Sequence, residues 1–202
     1  MSDRVFNYIS NWKKGWGMPI KRPKHLLIIG GGVFQVPAIK TAKSMGLKVA
    51  VTDYNPEAEG MLLADYPIEV STRNINLTVN TAKQFHSTCA LDGVMTVGTD
   101  ASQTVAAVAD ALGIPGIPFE VAERATDKIK MRQVLKEKGV PVPKFRPIWT
   151  LDECQEAVKH MPLPLVIKPC DNMGARGVRK IEGHDDLIPA FREAKEASIS
   201  GK

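Results

Sequence analysis

Two lysines and a glycine-bearing loop carry the most pointed chemistry in this sequence. Lys168 ends the apolar run Leu165-Val-Ile and is followed by Pro169, which interrupts a strand ladder. The loop Asp171-Asn-Met-Gly-Ala-Arg-Gly177 comes next, and residues 178–181 read as a returning strand. Such a hairpin offers flexible backbone amides at Asn172, Gly174, Ala175 and Gly177, with the charge of Arg176 beside them. Amides in this arrangement can cradle phosphates. Lys128 opens an expected helix, where a cation opposes the helix dipole. A bound anion would account for it. So would an ordinary surface position on a helix that also carries Lys130, Lys136 and Lys138. Lys168 has a plain alternative too, a strand-end lysine reaching to water.

A second group lies near the front. Gly30-Gly-Gly-Val-Phe-Gln35 stands between an expected strand and an expected helix, and Asp53 ends the following strand. The spacing is that of a dinucleotide fingerprint, except that Gln35 occupies the third glycine position. Any doubly wound sheet needs a tight first turn, so a small-molecule site is the stronger expectation. Gly31, Gly32, Asp53 and Asp100 are its candidate substrate-binding residues, because they fall at strand C-termini or the loops after them, which converge at one sheet edge.

The elements needed to position these residues alternate. Residues 25–30, 48–52, 66–70 and 92–97 read as strands; residues 34–46, 77–85 and 101–112 read as helices, with Gly98-Thr-Asp100 capping the last. Strand–helix alternation with short loops implies parallel strands and right-handed crossovers. The pattern then changes. Residues 118–126 and 127–138 read as helices, Val140-Pro-Val-Pro143 as a stiff connector and residues 145–149 as a strand. Thr150-Leu-Asp-Glu153 is a capping box, and residues 185–197 form a last amphipathic helix. The expected organisation is a leader (1–24), a Rossmann-like unit (25–122) and a smaller α+β unit (123–202).

The formal net charge of +5 does not point to nucleic acid. Residues 1–24 hold six bases and one acid, and the other 178 residues balance at 21 and 21. The leader also carries Phe6, Tyr8, Ile9, Trp12 and Trp16, which could dock on the body or on a partner subunit. No run approaches the ~18 apolar residues of a membrane span. No signal-peptide core is evident, and three scattered cysteines fit a reducing compartment, so a cytoplasmic location is expected. The four histidines and three cysteines show no metal-ligand spacing, and no metal ligand is assigned.

Taken in order, the glycine-ended first strand, Thr99-Asp100, Asp127-Lys128, Gly-Val-Pro-Val-Pro143 and Pro-Leu-Val-Ile-Lys-Pro169 with its glycine loop resemble the ATP-grasp superfamily. The likeness is to carboxylate–amine ligases allied to the carbamoyl phosphate synthase large chain and biotin carboxylase, over residues 25–200. It implies a Rossmann-like pre-ATP-grasp domain followed by the first, α+β part of an ATP-grasp domain. It implies that Lys128 and Lys168 contact ATP phosphates, that the loop from Asp171 to Val178 closes over the nucleotide, with Asn172, Gly174, Ala175, Arg176 and Gly177 as its binding residues, and that a carboxylate attacks the γ-phosphate to give an acyl phosphate captured by an amine or similar nucleophile. The family's adenine hinge, Mg2+ ligands and late arginine fall in a second half that this sequence does not show.

Four readings follow. The chain is the N-terminal half of a ligase, inactive alone; or one subunit of a split ligase, with a separate chain supplying the metal site; or a non-catalytic module that binds nucleotide or a small carboxylate; or a Rossmann oxidoreductase, which Gln35 disfavours. A homodimer, or a partner supplying the missing half, is expected.

Overall fold

The computed structural model describes residues 22–201. Strands β1 (His25–Ile29), β2 (Lys48–Asp53), β3 (Tyr66–Glu69) and β4 (Leu91–Met95) form one parallel sheet in the order β3-β2-β1-β4. Leu27 sits opposite Ala50 in β2 and Val94 in β4. Successive side chains of β1 point to opposite faces, and both faces are covered. Leu27 and Ile29 pack with Ala50, Leu91 and Val108 on one side; Ile28 packs with Ile39, Val49, Val51 and Met61 on the other. That double burial is why β1 is a continuous apolar run rather than an alternating one.

The covering helices are α1 (Val36–Ser44), α2 (Glu59–Leu63), α3 (Ile75–Thr88) and α4 (Ser102–Leu112). A single 3-10 turn, Val33–Gln35, precedes α1, and Pro37 stands in its first turn, where a missing N–H costs nothing. Then come α5 (Phe119–Thr126), α6 (Lys128–Glu137) and α7 (Leu151–His160), a two-stranded antiparallel sheet of β5 (Leu165–Ile167) and β6 (Arg179–Ile181), and α8 (Leu187–Ala197). A third core of Cys154, Ile181, Leu187 and Ala190 holds this part together. Asp127 caps α6 by accepting from Ile129 N and Lys130 N, and Thr150 with Glu153 completes the capping box of α7.

The structure departs from the sequence reading in four places. Helix α2 was not expected. Residues 145–149 form no strand: Pro147 lacks the N–H a ladder needs, and among the described residues β5 pairs only with β6. Asp100 does not cap α4, whose N-cap is Ala101 without a side-chain bond. Arg22, assigned to the leader, is fixed to the sheet through two bonds to Asp92, at 2.9 and 3.0 Å. The leader residues Phe6, Tyr8, Ile9, Trp12 and Trp16 lie outside the described residues. None of the described helices is long and apolar enough to cross a membrane.

Candidate functional site

A cavity of about 470 Å3 lies between the start of α6, the segment 143–148, α7 and β5. Five cations line it, Lys128, Arg132, Lys144, Arg146 and Lys168, and no acid does. Lys128 and Arg132 are one helical turn apart, so they share a face of α6. The Arg132 guanidinium lies over the ring of Phe145, 5.4 Å from its centroid. Partial withdrawal from water, together with the charges of Arg132 and Lys128, pushes the Lys168 ammonium below the ordinary lysine range. Among the described residues no carboxylate forms an ion pair with Lys168 or Arg132. Arg146 lies within reach of the Glu153 charge, but no acid lines the cavity itself, and a wall in which cations predominate suits an anion.

Lys128 has a second task. Its backbone N–H donates to Cys170 O at 2.9 Å, and its ammonium donates to Cys170 O at 3.4 Å and to Asn172 O. The lysine therefore ties the start of α6 to the exit of β5. Its ammonium has three donors, so this leaves capacity for a ligand.

The loop after β5 is pinned at both flanks. Asn172 is buried, its amide donates to Ala197 O, and its Oδ1 accepts from Met173 N at 2.8 Å. Asp171 accepts from Ser198 Oγ at 2.9 Å, Ile199 N at 3.1 Å and Ser200 N at 2.6 Å. Burial raises the Asp171 carboxyl, but these bonds outweigh it and hold it below the usual carboxylate range. Gly177 (φ +68°) lies against α8; a Cβ there would stand 2.6 Å from Ala197 Cβ and 3.1 Å from Glu193 O. Asn172 and Gly177, expected to face nucleotide, are thus used to fasten the loop. Gly174 (φ +70°) is open to solvent, and Ala175 beside it holds φ at +57°. Arg176 donates from Nε to Met173 O at 3.1 Å and reaches toward Asp100. None of the residues Asn172–Gly177 lines the cationic cavity.

A second cleft, of about 590 Å3, opens at the carboxyl edge of the four-stranded sheet, with Gly30, Gly32, Asp53, Arg73, Thr99 and Asp100 in its wall. Gly31 is behind it. Its N–H donates to Asp53 Oδ2 at 2.8 Å, and its carbonyl accepts from Gly60 N at 2.6 Å, so both its polar groups are engaged. Asp53 Oδ1 accepts from Asn55 N at 3.0 Å. Each oxygen of Asp53 thus accepts one bond that holds a turn and keeps a lone pair toward the cleft. Gln35 fills the position of the third glycine, and its amide donates to Val97 O across the cleft floor. Asp100 Oδ2 is buried without a hydrogen bond, with the Arg176 guanidinium 3.6 Å away. The cleft brings Gly32, Asp53 and Asp100 together and leaves Gly31 out.

Sequence reasoning missed Arg132 and Arg73. The i, i+4 spacing from Lys128 would have placed Arg132 on the same face. Arg73 stands at the mouth of β3, three residues beyond Val70. Among the described residues, no cluster of three His, Cys, Asp or Glu could hold a metal ion.

Two family models match this chain. Residues 125–201 match the ATP-grasp domain, and residues 17–105 match the C-terminal domain of alanine dehydrogenase/PNT. A formate-dependent phosphoribosylglycinamide formyltransferase of Prochlorococcus marinus (strain MIT 9301) is 23% identical over 181 residues, covering 89% of this chain and 45% of that protein. An L-amino acid ligase from Bacillus licheniformis superposes with a TM-score of 0.68 at 26% identity, over 86% of this chain and 42% of its own. The biotin carboxylase domain dimer of Hydrogenobacter thermophilus 2-oxoglutarate carboxylase, in complex with MgADP, ADP and bicarbonate, superposes with a TM-score of 0.65 at 20% identity, over 88% and 41%. The chain spans less than half the length of each.

Proposed function

This chain has the fold of the front half of an ATP-grasp carboxylate–amine ligase, and from that premise we propose that it binds the polyphosphate of ATP and a small carboxylate for an ATP-dependent ligation. The observation that carries this reading is the cavity wall of five cations and no acid. A nucleoside triphosphate carries about four negative charges at neutral pH, which this group of cations, two half-buried (Lys128, Arg132) and three exposed, can match. Val166, exposed at 58% and on the same strand face as Lys168, adds an apolar surface where a base could rest.

We divide the labour at residues 122 and 123. The Rossmann-like unit offers the cleft with Gly32, Arg73 and Asp100 to the carboxylate substrate, and the α+β unit offers Lys128 and Lys168 to the phosphates. A carboxylate oxygen attacks the γ-phosphorus, ADP leaves, and an amine or thiol then displaces phosphate from the acyl phosphate. Fixed cations offset the repulsion between two anions as they approach. Among the described residues no group of three His, Cys, Asp or Glu could hold a metal ion, and the Mg2+ ligands are assigned in this reading to the second half of the ligase fold, on the same polypeptide or on a partner. Residues 1–202 alone are therefore expected to bind without turnover.

The alternative reading is a non-catalytic nucleotide- or carboxylate-binding module or one subunit of a split ligase. A dinucleotide oxidoreductase is disfavoured by Gln35, which fills the third glycine position and donates to Val97 O.

The test is calorimetric titration of residues 1–202 with MgATP. Binding that is weakened by Lys168→Met and by Lys128→Met supports the site. Unchanged affinity in both variants sinks it. ATP-dependent coupling that appears only when the remaining half of a related ligase is added separates the ligase reading from the binding-module reading.

A further inference from the structure

Arg132 lies outside both the lysine pair and the loop. Its side chain is half-buried on α6, one turn after Lys128, in the wall of the cationic cavity. Like charges at that spacing destabilise a helix, and a cation in the first turn opposes its dipole. Lys168 adds a third charge close enough that Arg132 helps to push its ammonium down. The fold thus assembles three cations against their mutual repulsion, and no acid lines the cavity around them. An arginine used only for stability normally meets a carboxylate. Among the described residues it forms no ion pair and instead lies over the face of Phe145, 5.4 Å from the ring centroid.

A monoanion would not need three converging cations with Lys144 and Arg146 beside them. A polyphosphate would. We propose that Arg132 is a third polyphosphate-binding residue, held in place by Phe145 and acting on the same ligand as Lys128 and Lys168. The assignment rests on the nucleotide reading above. It goes beyond it by naming a contact that makes the site sensitive to the number of phosphates.

The test uses residues 1–202 and the affinities of MgATP, ADP and AMP. Arg132→Gln is expected to weaken ATP by about tenfold or more, the scale of one charge-assisted bond, and AMP far less. A purely structural role for Arg132 would weaken ATP, ADP and AMP alike, whereas a phosphate contact weakens ATP most and AMP least. If ATP affinity stays within about twofold while Lys168→Met abolishes binding, the Arg132 assignment is overturned and the nucleotide site survives. If the unaltered chain binds no ATP, both fall. Should Arg132→Gln fail to fold, Arg132→Lys carries the test. An ammonium replaces the planar fork by a point charge, so ATP should weaken severalfold, and equal affinity overturns the proposal.

Discussion

The guanidinium of Arg176 stands 3.6 Å from Asp100 Oδ2, joining the loop after β5 to the carboxyl edge of the four-stranded sheet. Asp100 is the more buried partner, with 19% of its side chain exposed against 56% for Arg176. Asp100→Asn should leave overall stability within about 1 kcal/mol, as for other partly exposed pairs. It should speed amide hydrogen exchange at residues 174–177. Exchange that is unchanged there would show that the pair does not restrain the loop.

Lys168 makes nucleotide affinity depend on pH in a stated direction. Its folded value lies below that of an ordinary lysine, so the free protein disfavours the charged form. Stability of the free protein should therefore rise as pH climbs from that lowered value toward about 10.4, the unfolded value. A bound polyanion favours the charged form. Binding should weaken as pH passes through the lowered value, with proton uptake on binding in that range. Calorimetry in buffers of different ionisation enthalpy reads the uptake; affinity flat to about pH 10 would contradict it.

Three neighbouring loop positions should respond differently to one methyl group. Ala175→Gly removes a left-handed non-glycine residue and should raise stability by about 0.5–1 kcal/mol. Gly174→Ala meets nothing within 4 Å and should cost only the left-handed term, about 1 kcal/mol. Gly177→Ala adds a clash at 2.6 Å with Ala197 and should cost more than about 2 kcal/mol. Urea denaturation ranks the three, and equal effects at 174 and 177 would refute the packing of the loop on α8.

Asp171 links residues 198–200 to the loop in a manner that acid should undo. Its folded value is depressed, so its stabilising contribution is present above the unfolded value, about 3.9, and is lost as pH falls through the folded one. Exchange at the Ile199 and Ser200 amides should accelerate below about pH 4. Asp171→Ala should cost about 1–2 kcal/mol at neutral pH by leaving its donors without an acceptor. Amides at 199 and 200 that exchange equally fast at pH 3 and pH 7, after correction for intrinsic rate, would contradict the contact.

Much of the fold could be read from residue order because local pattern and tertiary burial agree. The run Leu26–Ile29 is apolar throughout because β1 is covered on both faces, and Gly46, Gly113 and Gly139 end helices in the left-handed conformation that only glycine enters cheaply. Helix α2 was illegible because five residues are too few for a helical period and one of them is Gly60. Lys128 and Lys168 were legible as candidates from their positions at element ends. The roles of Asn172 and Gly177 were not, because their partners lie in α8 and beyond, about two dozen residues on. Composition told of a glycine loop; only the packing of α8 told which glycine faces protein and which faces solvent.

The fastening of Asp171, Asn172 and Gly177 sets the tempo of this loop. With those posts fixed, only residues 173–176 can move without breaking a packed contact. Four residues span at most about 14 Å when extended, and rearrangements of short exposed loops take nanoseconds to microseconds. Any ligand that needs the loop to fold over it would wait far less than the millisecond or longer of a typical turnover. A slow step in the assembled protein would then have to be sought elsewhere, in the chemistry or in the release of product.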